Sequence, residues 1–173
     1  MTRKLLRLLR HCWTDAEDAR RTIGDTVLER LGRRVAAGEA SHSGELRICI
    51  EAGLPLSYLW RDEPIEVVAH ERALALFGKL RVWDTENNNG VLIYLLLVEH
   101  RIEIIADRGL ARHVPPAQWQ ALVQEMGAAF RRGDYEGGLG RAIDTVSALL
   151  DRHFPLAPGE RNPDELPNAP HLI

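Results

Sequence analysis

Lysine is nearly missing from this chain of 173 residues: Lys4 and Lys79 are its only two, so almost all positive charge is arginine. Cysteine is as scarce, and Cys12 and Cys49 stand in no Cys-x-x-Cys or Cys/His spacing, which excludes a disulfide framework and a zinc knuckle. Cys49 lies in an apolar run and reads as an inert buried thiol in a reduced compartment. The longest apolar run, Val91 to Val98, is about half the length that a membrane-spanning helix needs. The formal net charge of −3 excludes a generally basic surface, and with it general nucleic-acid binding.

Several chemical signatures are also missing. There is no G-x-G-x-x-G, no G-x-x-x-x-G-K-[ST], no G-x-S-x-G elbow and no H-E-x-x-H. The cluster Gly137-Gly138-Leu139-Gly140 has no strand before it and reads as close helix packing, not as a dinucleotide loop. None of the seven histidines is spaced to share a metal with another.

What is present begins with a basic amphipathic segment at residues 1–20. Arg3, Lys4, Arg7 and Arg10 flank Leu5, Leu8, Leu9 and Trp13, which fall close to one helical face. Two readings stand: a helix that docks on an anionic membrane surface or a partner, or one that packs on the domain with its arginines outward. Charges inside the leucine run and the lack of a small-residue cleavage site argue against a secretory signal. The expected location is the cytoplasm, peripheral to the inner membrane.

The domain proper is expected at residues 21–154. Ile23, Val27, Leu31 and Val35 predict a helix from Thr22 or Asp25 to about Ala37 that Gly38 stops. Leu46, Ile48 and Ile50 alternate in a strand whose other face should be partly wet. Pro64 opens a helix to Leu80. The run from Val91 shows no alternation and predicts a strand buried on both faces, joined through Glu99-His100 to an antiparallel partner at Arg101–Ala106. Two helices follow, one opened by Pro115-Pro116 and one capped by Asp134. A right-handed crossover makes the first two strands parallel, so the fold class is α/β: a three-layer α/β/α sandwich with a small mixed sheet flanked by helices on both faces. Residues 155–173 carry five prolines and no apolar period, and read as a disordered or loosely attached tail.

This topology brings three loops to one edge of the sheet: Ser41-His42-Ser43, the stretch from Asp84 to Gly90, and Asp107-Arg108-Gly109. Asp84 and Asp107 with Asn88 and Asn89 offer the hard oxygen donors that Ca2+ or Mg2+ requires. Arg108, Thr85 and His42 are candidate contacts to an anion or a partner. Each part also has an ordinary role, since Asn-Asn-Asn-Gly is a turn sequence and either aspartate can satisfy loop amides or pair with an arginine.

The stretch Val82 to Tyr94 with its Asn-Asn-Gly-Val-Leu core, the continuation Val98 to Leu110, and Phe130-Arg131-Arg132-Gly133-Asp134-Tyr135-Glu136-Gly137-Gly138-Leu139 resemble the TPM domain family over roughly residues 40 to 153. That family is named for a plant thylakoid lumen protein, related to acid phosphatases, a cyanobacterial photosystem II repair protein and a nematode receptor modulator. The resemblance implies the same sandwich, a divalent metal near the loops at the sheet edge, acid phosphatase activity in some members, and roles in assembling membrane complexes. It resembles most the cytosolic bacterial branch, which implies a LemA-type membrane protein or a membrane-anchored TPM protein as partner. Arg108 departs from the glycine-rich stretch usual there, and a guanidinium beside the site opposes a cation while suiting an anion.

Two functions follow as expectations. The first is a non-enzymatic binding or assembly domain near the bacterial inner membrane, with a divalent cation at the sheet edge. The second is a divalent-metal-dependent, acid-phosphatase-like hydrolase in which Asp84 or Asp107 holds the metal and Arg108 steadies the phosphate.

Overall fold

The computed structural model describes residues 8–173. A helical turn at 8–12 (α1) leads into α2 (Ala16–Ile23) and α3 (Asp25–Glu39), followed by β1 (Leu46–Glu51), a short α4 (Leu56–Leu59) and α5 (Ile65–Lys79). The hairpin β2 (Val91–Leu96) and β3 (Arg101–Ala106) comes next, then α6 (Arg108–Ala111), α7 (Pro116–Phe130), α8 (Tyr135–His153) and a two-residue β4 (His171–Leu172).

The sheet order is β3-β2-β1-β4, with β1 parallel to β2 and β2 antiparallel to β3. Residue alternation divides the sheet into two faces. Leu46, Ile48, Ile50, Val91, Ile93, Leu95 and Ile102 meet α2, α3, α7 and α8. Cys49, Leu92, Tyr94, Leu96 and Ile105 meet Val68, Ala69, Ala73 and Leu76 of α5. The expected α/β sandwich is therefore present, with β2 buried along its whole length at the centre.

Three expectations need correction. The segment at 1–20 is not one continuous helix over its described part, because Asp15 caps a new one: its carboxylate accepts from the Glu17 and Asp18 amides while Asp18 reaches back to the Asp15 amide. The second face of β1 is not wet, since all six residues are buried and Arg47 and Glu51 find partners there. Glu51 accepts from Arg72 on α5 and from the Tyr94 hydroxyl, while the Arg47 guanidinium donates to the carbonyls of Pro167 and Ala169. Those bonds belong to the third correction. Residues 155–173 are an ordered strap, because Glu45 accepts from the Leu166 amide, the Asn162 side chain donates to the His42 carbonyl, β4 adds to the β1 edge, and Leu166 is buried.

Cys49 is buried as expected, and burial, followed by the charge of Glu51, pushes its thiol up to about 12. It is an inert core residue.

Candidate functional site at the amino-terminal edge of the sheet

β1 and β2 start, and β3 ends, at one edge of the sheet, so the loops before and after them meet there. Asn88 has a left-handed backbone (φ 51°), which asparagine tolerates better than most side chains. This conformation presents its carbonyl to the Gly109 amide at 2.8 Å. A Cβ at Gly109 would collide with the Asn87 and Asn88 carbonyls, so glycine is required where the two loops cross. The Arg108 guanidinium donates to Asn88 Oδ1 at 3.0 and 3.2 Å. Asp107 caps α6 by accepting from the Arg108 amide at 2.6 Å through Oδ1, while its Oδ2 is buried without a partner.

The structure thus brings Asn88, Asp107 and Arg108 together. It also joins Thr85, Asn89 and Ser43: Thr85 Oγ1 accepts from the Asn89 amide, and the Asn89 amide side chain donates to Ser43 Oγ. Asn89 Oδ1 is buried and unpartnered. Asp84 does not turn to this group; it pairs with Arg81 on the exposed side of the loop. His42 is fully buried, its Nδ1–H donating to the Gly44 carbonyl and its Nε2 unpartnered, and burial holds its pKa below the ordinary histidine value.

A second polar group lies at the same edge, on the side of α3 and the strap, and spacing in the sequence gives no hint of it. Glu39, Glu45 and Asp164 each offer a carboxylate oxygen, and these oxygens lie within 4.8 Å of one another. Among the described residues this is the only such group of three. Burial pushes Glu39 up to about 8, partly offset by the Leu46 amide, and pushes Glu45 up to about 7, partly offset by the amides of Glu165 and Leu166. One sequence signal did mark Glu39. It ends α3, where the helix dipole disfavours an acid, and the last turn contains no basic residue.

Of the docking residues expected at the amino end, those within the described residues lie at the other edge of the sheet. Arg3, Lys4, Leu5 and Arg7 fall outside the described residues. Arg10 donates to the Val98 carbonyl just beyond β2. His11 is the hub of the attachment: its Nδ1 accepts from the Leu54 amide at 2.9 Å and its Nε2–H donates to Glu99 at 2.9 Å. Leu8 is half-buried, whereas Leu9 and Trp13 are exposed, Trp13 at 81%. Leu56 and Trp60, at the two ends of the short α4 that Leu54 leads into, are exposed as well, Trp60 at 73%. Among the described residues no helix is long and apolar enough to cross a membrane.

A parallel β1–β2 pair, an antiparallel hairpin and an Asn-Gly loop locked against the Gly109 turn define a small α/β/α domain with loop contacts at its sheet edge. The TPM domain model matches residues 17–149, and the chain belongs to the TPM domain family. Two solved structures share the fold. BA42 from the psychrophilic bacterium Bizionia argentinensis, solved by NMR, superposes with a TM-score of 0.71 at 23% identity, covering 86% of this chain and 93% of that one. The N-terminal domain of a P. gingivalis protein, also solved by NMR, superposes with a TM-score of 0.59 at 23% identity, covering 76% of this chain and 78% of that one. Among curated proteins none matches the sequence significantly.

Proposed function

We propose that this TPM domain is a non-enzymatic docking and assembly module that works at the cytoplasmic face of the bacterial inner membrane. The observation that carries the reading is the exposed apolar set Leu9, Trp13, Leu56 and Trp60, displayed on two segments that His11 ties together. Tryptophan and leucine beside arginine is the composition that enters the headgroup region of an anionic bilayer. Arg3, Lys4, Arg7 and Arg10 supply the charge. Held there, the domain would meet a LemA-type membrane protein or a membrane-anchored TPM protein, the partners that the resemblance implies.

At the opposite edge, the reading puts Ca2+ or Mg2+ against Asp107, Asn88 and Asn89. The buried, unpartnered Asp107 Oδ2 and Asn89 Oδ1 support this, because buried polar atoms are rarely left unpaired. Asp84, engaged by Arg81, would join only by exchanging that partner.

The test is co-sedimentation of the full chain and of a chain lacking residues 1–20 with vesicles of anionic and of zwitterionic lipid. Binding to anionic vesicles that falls at least tenfold on deletion supports the reading; equal binding by both chains overturns it. A phosphatase reading draws on the unpartnered Asp107 oxygen and on the guanidinium of the next residue, Arg108, which donates to Asn88. Magnesium-dependent turnover of p-nitrophenyl phosphate that Asp107→Ala abolishes would favour that reading over the first.

A further inference from the structure

Four side chains converge where α3 ends, β1 begins and the strap passes over them, and each is held by one atom while another stays available. Glu39 accepts from the Leu46 amide through Oε1 at 3.1 Å, and its Oε2 is unpartnered. Glu45 accepts from the Leu166 amide through Oε2 at 3.0 Å, and its Oε1 is unpartnered. Asp164 accepts from the Asn168 amide side chain through Oδ1 at 3.2 Å, and the buried Asn168 Oδ1 is unpartnered. Glu39 is 4% exposed and Glu45 0%, and among the described residues neither has an ion pair with arginine or lysine.

A carboxylate buried without a counter-charge is expensive, and two of them side by side are more so. The hydrogen bonds fix both glutamates in place instead of letting them separate. Such an arrangement is stable once something positive sits between the free oxygens.

We propose that Glu39, Glu45 and Asp164, with Asn168 Oδ1 as a neutral fourth donor, form a calcium site that clamps the strap to the domain. Oxygens sharing one calcium ion lie at most about 5 Å apart, twice the usual metal–oxygen distance of about 2.4 Å. One oxygen from each of the three carboxylates already lies within 4.8 Å of the others, a spacing from which a small inward movement reaches a shared ion. All donors are hard oxygens, and their origin in a helix end, a loop and a strap gives the irregular shell that calcium accepts more readily than magnesium. Access is provided by a surface hollow of about 320 Å³ lined by Glu39, Glu160, Arg161, Asn162, Asp164 and Asn168. Asn162 holds the strap in register there, its side-chain amide donating to the His42 and Gly44 carbonyls. The site shares no residue with the Asp107 group at the same edge and stands whether or not that group binds metal.

The experiment is calorimetric titration of chelator-treated full-length protein with CaCl2, repeated for Glu39→Gln, Glu45→Gln, Asp164→Asn and Asp107→Asn. The expected result is a calcium ion whose binding is at least tenfold weaker in each of the first three variants and persists in Asp107→Asn, a variant that removes only a separate ion held at the Asp107 group. Asp164 is exposed, so its variant remains decisive even where a buried glutamine prevents folding. No calcium heat up to about 10 mM, or wild-type affinity in Asp164→Asn, would overturn the site. Binding lost only in Asp107→Asn would also overturn it and support the sheet-edge reading instead.

Discussion

The Tyr94 hydroxyl donates to Glu51 Oε2 at 2.6 Å, in the layer between the sheet and α5. The same carboxylate accepts three contacts from the Arg72 guanidinium, at 2.6 to 3.1 Å. Removing one member of a buried ion pair typically costs about 3–5 kcal/mol, because the other charge remains without compensation. Arg72→Ala should therefore lower unfolding free energy by about 3 kcal/mol, and Tyr94→Phe by about 1–2 kcal/mol. Urea denaturation of the two variants and of the double variant checks both values, and the double-variant loss should fall short of their sum.

Gly109 and Gly78 predict opposite outcomes for the same substitution. At Gly109 a methyl group would strike the Asn88 and Asn87 carbonyls, which are backbone and cannot swing aside. Gly109→Ala should destabilise by about 2 kcal/mol or more and broaden the amide NMR signals of residues 85–90. At Gly78, within α5, nothing lies within 4 Å of the added Cβ. Gly78→Ala should raise stability by about 0.5–1 kcal/mol.

Stability should depend on pH in a direction set by Glu39 and Glu45. Their folded-state values, about 8 and about 7, lie above the ordinary carboxyl value of 4.5. The unfolded chain therefore releases these protons first, and stability present at pH 4.5 is lost as pH rises through 7 and 8. Burial of His42 acts with the opposite sign, since its lowered value makes stability fall as pH drops below 6.5. Melting temperature measured in chelator should decline from pH 6.5 to 9, and Glu39→Gln should flatten that decline.

Trp60 is too exposed to matter much for folding. Trp60→Ala should leave unfolding free energy within about 0.5 kcal/mol of wild type. Combined with Trp13→Ala, it should reduce the blue shift of tryptophan emission on adding anionic vesicles by more than half.

The parts of this fold that were legible in the sequence are those in which local pattern and burial coincide. The unalternating run from Val91 marks the central strand, and Pro64, Pro116 and Asp134 mark helix starts. β1 misled because Arg47 and Glu51 look like solvent-facing residues, whereas both find partners in chain remote in sequence, Arg47 in the strap carbonyls and Glu51 in Arg72. The strap misled because prolines remove any period, yet its backbone is satisfied by side chains from the domain. For the site, the Asn88–Gly109 crossing follows from topology. The group at Glu39, Glu45 and Asp164 does not, since a helix end, a pre-strand loop and a proline-rich stretch carry no shared motif.

Arg47 is bonded to Ala169, 122 residues further along the chain, and the Ile173 amide donates to the Ile50 carbonyl at 3.1 Å. During synthesis, β2, β3 and the helices can assemble before the partners of Arg47, Glu45 and the β1 edge have left the ribosome. For that interval β1 presents an unpaired strand edge and two buried-type charges to the cell, the kind of surface that a chaperone binds. Docking of the strap is what covers that edge, so the time for which the edge stays open depends on the docking rate.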